Sequence, residues 1–567
     1  MRKLVIYMII AFLMTGTLSL EAQTRTVGVF LNETSKVYDG YTLFAPKQNT
    51  MTYLINNEGR IINQWTASKL PPGQAVYLLE NGNLLRTCMT KGKLSSGGGE
   101  GGRIEEYDWN DKLVWSLDFS TETYMQHHDI KRLPNGNIIM LVIEKKTTNE
   151  CLAAGFDPSK FQPEIQQKGM MLPDYIVEIK PTYPSGGTVV WEWHTWDHLI
   201  QDFDTTKSNY GTPKSHPELV DCDGDGKKLP AFWNHMNSID YNPELNQIAL
   251  SVRGNSEVWI IDHSTTTEEA KGHSGGARGK GGDLLYRWGN PAAYGAGTVK
   301  DQRYFQQHDV EWVLPGRPGE GNLTCFNNGL GRGDYSSVDE FTPNIDENGN
   351  YAVNPGSAFS PANFVWTYKG SADGLKYSEN ISGAYRLPNG NTLMCSGTVG
   401  QFVEVTSAGE IVWEYICPVD QTGRLNQGDT LKTDLARPAE KMNSVFRVYK
   451  YAPDYPAFAG RDLTPGEFVE LYLGAVNENE IKSLSNYPNP FNNETVIKYE
   501  LPFSGNVKLE LFDSKGTKIS TLVDEYQQAG TYSLPFSADQ LYLTNGVYFY
   551  KLSTNDSSET NSIVFIK

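Results

Sequence analysis

The chain has 567 residues, a formal net charge of −18 and six widely scattered cysteines. Its length exceeds what one compact core usually supports, which predicts two or more domains or one large repeat array. The acidic balance argues against a nucleic-acid partner, because phosphate backbones are bound through clustered Lys and Arg, while a small anionic substrate is compatible with it. The cysteine spacing excludes a zinc motif or a redox motif built on close cysteine pairs, and it leaves disulfide pairing open.

The chain opens with Met1-Arg2-Lys3, then a mostly apolar stretch over residues 4–20, and then Glu21-Ala22-Gln23. A basic start, an apolar core and a small residue near the cut are typical of a secretory signal peptide. Residues 1–22 are therefore predicted to direct export. No later segment is apolar enough to predict a transmembrane segment.

A phrase made of an alternating strand, a turn and an apolar segment ending in an aromatic residue recurs between residues 41 and 450. Clear copies end at Trp115, Trp193, Trp288 and Tyr415, and partial copies end at Trp65 and Trp366. Together with recurring Gly and Asn-Gly turns, these repeats predict an all-β, six-bladed β-propeller over residues 23–455. An array of β-sandwiches is the alternative.

Three long polar connections interrupt the repeats, at residues 147–171, 203–232 and 265–282. Connections of this length usually either shape a pocket or stay mobile. The last is rich in Gly, Lys and Ser and is predicted to be mobile.

A histidine-led phrase recurs before short apolar runs, at His128-Asp129-Ile130, His235-Met236-Asn237 and His308-Asp309-Val310. Repeats related by rotation bring equivalent strand ends together around one axis, so the three histidines are candidates for one shared pocket. A lone histidine at a strand start is more often a turn or core residue. His127 and His263 are interpreted in that way.

The segment Asp221-Cys222-Asp223-Gly224-Asp225-Gly226 resembles the start of a calcium loop, with acidic oxygens at alternate positions. It lacks a glutamate at the closing position, so a plain acidic loop is an equal alternative. If calcium binds through Asp221, Asp223 and Asp225, it would brace the loop that leads into His235. No cofactor is predicted to be required.

The end of the chain carries Tyr487-Pro488-Asn489-Pro490-Phe491-Asn492, then Gly546-Val547-Tyr548-Phe549-Tyr550, and the terminal Lys567. These motifs, in this order, resemble the C-terminal sorting domain of proteins exported by the type IX secretion system. A small β-sandwich is predicted over residues 484–567, after a linker over residues 456–483. The resemblance implies contact with that secretion machinery and a location at the cell surface or in the medium, after export through the periplasm.

The portion before it resembles the bacterial aryl-sulfate sulfotransferase family, of the type that does not use a nucleotide sulfate donor. An ordered set of motifs is far more specific than any single histidine. The motifs that carry the resemblance are Gln126-His127-His128-Asp129, Asn234-His235-Met236-Asn237-Ser238-Ile239, Ser251-Val252-Arg253, Gln307-His308-Asp309, Phe326-Asn327-Asn328-Gly329 and Asn443-Ser444-Val445-Phe446-Arg447.

The resemblance implies that His308 is the nucleophile that transiently accepts a sulfuryl group, with His128, His235 and Arg253 around it. A neutral imidazole is a competent nucleophile. Sulfuryl transfer needs fixed positive charge around the peripheral oxygens, which suits a guanidinium. Either of the other two histidines is a candidate acid for the departing phenolate. Asn237 is a candidate substrate-binding residue.

The predicted function is transfer of a sulfuryl group from a phenolic sulfate ester to a phenolic acceptor through a sulfohistidine intermediate. Two alternatives stay open at this point. One is a secreted, non-catalytic propeller that binds a ligand or glycan. The other is an aryl sulfatase, which would pass the same intermediate to water. Catalysis requires His128, His235, Arg253 and His308 to converge in one pocket.

Overall fold

The computed structural model describes residues 25–90, 94, 98–224, 226–333, 335–354, 356–371, 373–471, 483–501, 505–528, 530–554 and 558–567. The predicted signal peptide and Asp225 lie outside these residues. Strands make up 43% of the described residues and helices 8%, which confirms the predicted all-β class. The chain divides into two compact units, described over residues 25–471 and 483–567.

Six antiparallel sheets of four or five strands follow one another in the described part of the first unit. Sheet 1 contains Tyr449–Tyr451, Tyr41–Phe44, Thr52–Ile55 and Ile61–Trp65, and sheet 2 contains Pro72–Leu78, Leu84–Met89, Gly102–Tyr107 and Leu113–Asp118. Sheet 3 contains Tyr124–Arg132, Ile138–Glu144, Asp174–Pro181 and Gly187–His194, and sheet 4 contains Met236–Asn242, Gln247–Val252, Glu257–Asp262 and Tyr286–Trp288. Sheet 5 contains His308–Trp312, Leu323–Asn327, Ser337–Phe341 and Trp366–Lys369, and sheet 6 contains Gly383–Arg386, Thr392–Ser396, Gln401–Val405, Ile411–Ile416 and Gly28–Asn32.

Strands from opposite ends of this unit join the same sheets. Tyr449–Tyr451 pairs with Tyr41–Phe44 in sheet 1, and Gly28–Asn32 pairs with Ile411–Ile416 in sheet 6. The first strands of sheets 2 to 6 contact one another in order. This arrangement places equivalent strand starts, including those that carry the predicted histidines, next to one another.

The recurring aromatic residues have a structural role that repeats from sheet to sheet. In each sheet, a tryptophan on the fourth strand along its run of antiparallel strands donates its indole N–H to a backbone carbonyl in the next sheet or its loops. This hydrogen bond satisfies the polar group of a large aromatic side chain. The series returns from sheet 6 to sheet 1. The donor and acceptor pairs are Trp65 with Asp108, Trp115 with Gly186, Trp193 with Gly282, Trp288 with Pro361, Trp366 with Ser407 and Trp413 with Asn57.

Hydrophobic clusters lie between the same pairs of neighbouring sheets. In sheet 3, Ile138, Met140 and Val142 face the cluster shared with sheet 2, whereas Ile139 and Leu141 face the cluster shared with sheet 4. Alternate residues of a strand point to opposite faces, so a strand buried on both faces is apolar throughout. Further clusters join sheets 4 and 5, 5 and 6, 6 and 1, and 1 and 2.

Short elements decorate the loops of the first unit. The helices are Thr148–Ala153, Pro163–Lys168 and Thr267–Ala270, and the 3-10 turns are Pro158–Lys160, Thr195–His198, Pro213–Ser215, Pro291–Tyr294, Gly397–Val399 and Pro456–Phe458. The two-stranded pairs are Lys146–Thr147 with Met170–Met171, Leu199–Ile200 with Val220–Asp221, and Val419–Asp420 with Gly423–Arg424.

Residues 456–471, predicted as part of a linker, belong to the first compact unit. Ala457 and Phe458 are buried in the cluster between sheets 1 and 2, and Val469 is buried in the cluster between sheets 6 and 1. The prediction missed this because the segment lacks a regular apolar period; it is held by isolated anchors rather than by a strand or helix face.

The described part of the second unit contains a three-stranded and a four-stranded antiparallel sheet that share one hydrophobic cluster. The strands are Ser483–Tyr487, Glu494–Leu501 and Gly530–Ser537 in one sheet, and Lys518–Gln527, Gly505–Phe512, Gly546–Ser553 and Ser558–Phe565 in the other, with a 3-10 turn at Asp539–Leu541. The six cysteines all lie in the first unit, where they are buried and free.

Candidate functional site

The three predicted histidines lie at equivalent places in sheets 3, 4 and 5, beside irregularities in strand pairing. A β-bulge redirects the side chain that it carries. His128 and His235 have φ values of 46° and 50°, and Asp309 next to His308 has a φ of 61°. Such left-handed conformations are uncommon outside glycine, and they cluster where a local geometry is imposed by function.

One cavity of about 630 Å³ is lined by His128, His235, His308 and Arg253 together. The ring centroids of His128 and His235 are 5.1 Å apart. Phe446 lies 6.0 Å from the first of these rings and 6.5 Å from His308. The structure therefore brings the four predicted residues into one pocket with an aromatic ring between the histidines.

The imidazole of His308 is held in a defined tautomer. Its Nδ1 lies 2.7 Å from Asn328 Oδ1, while the Nδ2 of the same amide donates to the carbonyls of Ser378 and Ile381. Because the amide oxygen only accepts, Nδ1 must carry the proton. The lone pair is then on Nε2, which accepts the backbone N–H of Ile381 at 3.2 Å.

A buried chain of polar groups stands behind His128. His127 Nε2 lies 2.8 Å from Asp174 Oδ1, although the contact is not well aligned as a hydrogen bond, and His127 Nδ1 lies 2.8 Å from His128 Nδ1. With the proton of His127 on Nε2 toward the carboxylate, its Nδ1 accepts from His128 Nδ1, which leaves the lone pair of His128 on Nε2. His127 is thus a core residue, as interpreted, but one in direct contact with the cavity histidines.

Burial lowers the pKa of His128, His235 and His308 well below the ordinary value for histidine. Charge repulsion acts in the same direction: Arg253 lowers the pKa of His235 and His308, and His235, were it protonated, would lower that of His128. All three imidazoles are consequently neutral near pH 7, and a neutral ring has a lone pair available for attack.

Three cationic side chains line the cavity, those of Arg253, Arg437 and Lys47, against the two carboxylates of Glu379 and Glu440. Burial lowers the pKa of Arg253 to about 10, against the opposing effect of Glu379, so its guanidinium stays charged at neutral pH. Lys47 is buried and paired with Glu440 at 2.7 Å; burial lowers its pKa. Such a pocket suits an anionic group more than a cationic one.

The side chain of Arg447 contacts residues on the first strands of sheets 3, 4 and 5, which carry or directly follow the cavity histidines. Its Nη1 lies 2.8 Å from both Asp129 Oδ2 and Asp309 Oδ1, and its Nη2 donates to the carbonyl of Asn237 at 3.1 Å. The two carboxylates also accept backbone N–H groups of neighbouring strands, from Ile239 and Ala384. This network fixes the positions of the strands that carry the cavity histidines.

Asn237, a candidate substrate-binding residue, does not line the cavity. Its Nδ2 donates to the carbonyl of Gln307 at 2.8 Å, so it connects sheets 4 and 5 directly before His308.

In the calcium-like loop, Asp221 Oδ1 accepts the backbone N–H of Asp223, and burial raises the pKa of Asp221 to about 7. Calcium binding by this loop stays a prediction.

Sequence reasoning gave no role to Lys47, Arg437, Asp174, Asn328 or Arg447. The last two lie within motifs that carry the family resemblance, and this was the available signal. Lys47, Arg437 and Asp174 lie outside those motifs, and only folding brings them to the histidines.

A buried pocket that combines neutral histidines with fixed cations defines a site for transfer or binding of an anionic group. Residues 27–427 match the arylsulfotransferase family. This match covers more than half of the sequence, and the chain belongs to the arylsulfotransferase family. Membership supports aryl sulfotransferase activity at the level of the family. No curated protein matches the chain.

Residues 485–567 match the secretion system C-terminal sorting domain, which confirms the type IX sorting resemblance. The domain indicates export to the cell surface or secretion. Among the described residues, no helix has both the length and the apolar character needed to cross a membrane.

Two solved structures are similar to this chain at low identity and low TM-score. A protein of unknown function from Bacteroides caccae is 10% identical, with 73% of this chain and 98% of that chain covered and a TM-score of 0.37. A catalytically inactive virginiamycin B lyase from Staphylococcus aureus, solved with quinupristin, is 10% identical, with 71% and 87% covered and a TM-score of 0.31. Neither similarity bears on the activity of this chain.

Proposed function

We propose that the six sheets of the first unit are the blades of a six-bladed β-propeller. The tryptophan hydrogen bonds and the hydrophobic clusters support this, because both series run from each sheet to the next and return from sheet 6 to sheet 1. Closure of such a ring removes exposed sheet edges and places the first strand of every blade around one axis.

The proposed activity is transfer of a sulfuryl group from an aryl sulfate to a phenolic acceptor, with no nucleotide donor and through a sulfohistidine. The observation that carries it is the geometry of His308, whose Nδ1 is bonded to Asn328 and which lines the same cavity as Arg253. A fixed tautomer beside a fixed cation is what covalent capture of a sulfuryl group requires.

In the first step, the Nε2 lone pair of His308 attacks sulfur while the bond from sulfur to the aryl oxygen breaks. The electron pair of that bond leaves with the phenolate, which takes up, through the cavity base or solvent, the proton that the acceptor gives up in the second step. In the second step, the acceptor phenol loses its proton to a cavity base and its oxygen attacks the sulfur, which restores neutral His308. Ile381 N–H, freed from Nε2, is placed to donate to a sulfuryl oxygen.

Arg253 is assigned to the peripheral sulfuryl oxygens, where negative charge is concentrated in a loose transition state. Replacing it with alanine is expected to lower kcat/KM about 10²-fold to 10³-fold, the usual cost of losing one preorganised donor. The conservative Arg253→Lys variant should recover only part of this loss, since a point charge does not reproduce the guanidinium fork. Steady-state kinetics on a chromogenic aryl sulfate test this; equal activity of the alanine variant would refute the assignment.

The buried chain from Asp174 through His127 to His128 is assigned to positioning His128 as the base that takes the proton of the acceptor phenol. Asp174→Asn removes the carboxylate that holds the proton on His127 Nε2. We expect kcat to fall by up to about 10²-fold, the lower end of what general acid–base catalysis contributes.

KM for the donor should change little in this variant, because Asp174 does not line the cavity. A lowered kcat with a nearly unchanged KM is therefore the result that distinguishes a positioning role from a role in substrate binding. A variant with normal kcat, or one with raised KM and unchanged kcat, would contradict the positioning role.

The overall proposal is tested by phenol release from an aryl sulfate with and without a second phenol. Acceptor-dependent release that disappears in His308→Ala supports transfer. Release that ignores the acceptor favours a sulfatase, and absence of release from several donors together with saturable donor binding favours a binding protein.

A further inference from the structure

We propose that His198, His273 and Asp283 form a binding site for a zinc-class divalent cation, separate from the cavity described above. One nitrogen of each imidazole and one oxygen of the carboxylate lie within 4.8 Å of one another. Two imidazoles and one carboxylate form a common protein ligand set for Zn²⁺, with a fourth position left for water.

The hydrogen bonds of His198 argue for a cation between these groups. Its Nε2 lies 2.9 Å from the carbonyl of Ala270, which only accepts, so this nitrogen carries a proton. In the neutral ring the lone pair is then on Nδ1, which lies 2.9 Å from Asp283 Oδ1. A lone pair facing a carboxylate oxygen needs a cation or a second proton between them.

The same carboxylate oxygen is approached by His273 Nδ1 at 2.7 Å. A histidine that ligates a metal through one nitrogen usually donates from the other to a carbonyl or carboxylate, which fixes the tautomer. The bond from His198 to Ala270 has this form. It directs the lone pair of His198 toward the carboxylate oxygen that His273 also contacts.

The surroundings of His198 keep its ring in place. The ring is buried and stacked on Trp193, with 5.6 Å between centroids and 8° between planes. A Cβ at Gly282 would lie 2.6 Å from its Nε2, so only glycine allows the loop to approach this closely. Trp193 Nε1 donates to the carbonyl of that glycine at 2.6 Å.

His273 supplies the adjustable part of the site. Its side chain is 63% exposed, whereas that of Asp283 is 9% exposed. Ligands about 2.0–2.1 Å from a tetrahedral Zn²⁺ are about 3.4 Å apart. The contacts of 2.7 and 2.9 Å are shorter, so admission of the ion needs a small rotation of the exposed His273 ring and a small shift of the Asp283 carboxylate away from His198.

A cation at this point would attach the connection at residues 265–282, predicted to be mobile, to the end of sheet 3. His198 follows the last strand of that sheet, while His273 and Asp283 come from the connection and the residue after it. The connection carries Lys271, Arg278 and Lys280, all potential trypsin sites. Bound Zn²⁺ should therefore slow tryptic cleavage there.

The test uses the full-length protein without a histidine tag, freed of metal by a chelator and titrated with Zn²⁺ by calorimetry. We expect one site per chain that survives in His308→Ala, which perturbs the three-histidine cavity, and in His216→Ala, an exposed histidine outside the cluster. His273→Ala should weaken binding at this site at least about tenfold, the lower limit for disturbing even an outer partner of a ligating histidine.

Exposed His273 can be replaced with little risk to folding, and circular dichroism checks this. Co²⁺ in place of Zn²⁺ should give the visible absorption of a tetrahedral ion in wild type and lose it in His273→Ala. Absence of a site with one Zn²⁺ per chain, or equal affinity in His273→Ala, would overturn the proposal and leave an imidazolium paired with Asp283.

Discussion

His308→Ala is expected to lower kcat/KM for sulfuryl transfer at least about 10⁴-fold, because it removes the proposed nucleophile. Without the nucleophile, the other cavity residues can no longer accelerate the transfer, so the loss of this one residue costs about as much as the loss of the whole set. His128 and His235 are not expected to replace it, because the Asn328 oxygen that fixes the tautomer bonds His308, and His128 Nδ1 instead contacts His127. The measurement is acceptor-dependent phenol release by the purified variant.

The matched control is His216→Ala, which removes an exposed histidine that pairs with Glu218 and should leave the rate unchanged. Imidazole added to His308→Ala should restore some donor cleavage, because the truncation leaves room for a free ring beside Arg253. If the variant keeps a tenth or more of the wild-type rate, His308 is not the nucleophile.

Arg447→Met is expected to destabilise the first unit by about 3–5 kcal/mol, the usual cost of removing one partner from a buried ion pair. Arg447 is buried and lies 2.8 Å from carboxylate oxygens of both Asp129 and Asp309. The substitution leaves these two carboxylates in the interior without a cation. Urea unfolding followed by tryptophan fluorescence measures the change.

The pH dependence of this loss has a defined sign. Burial already raises the pKa of Asp309, and Arg447 opposes the rise. Without the guanidinium the folded-state pKa rises further above its unfolded value, so the folded variant binds an extra proton and regains stability as the pH falls. The deficit should therefore be larger in mildly alkaline than in mildly acidic buffer.

The control is Lys168→Met, which breaks a solvent-exposed ion pair with Glu164 and is expected to cost about 1 kcal/mol or less. A loss of only about 1 kcal/mol in the free energy of unfolding of Arg447→Met, or a loss that grows as the pH falls, would contradict the role given to Arg447.

The all-β class was predictable because the strand, turn and aromatic phrase recurs along the chain. What the phrase did not reveal is why an aromatic residue closes it; the answer is the indole N–H of Trp65 or Trp413 donating across to the next sheet. The segment at 456–471 was misassigned because its anchors, such as Phe458 and Val469, are single residues without a period.

The candidate site was predictable only where sequence motifs marked it. His128, His235, Arg253 and His308 come from the family resemblance, and the structure places them around one cavity. Asp174 could not be found in this way, because it contacts His127 only after two different strands come together, and the residues around it form no recognisable motif. Asn237, the candidate substrate-binding residue, is absent from the lining of that cavity, and its amide donates to Gln307 of the next sheet.

The most direct measurement is mass spectrometry of the protein after exposure to an aryl sulfate without acceptor, digested at neutral to alkaline pH to preserve a nitrogen–sulfur bond. The account predicts one sulfuryl group per chain on His308, lost when a phenol is added and absent from His308→Ala. Phenol release through a protein that never carries the group, or that carries it on another residue which a phenol discharges, would contradict it.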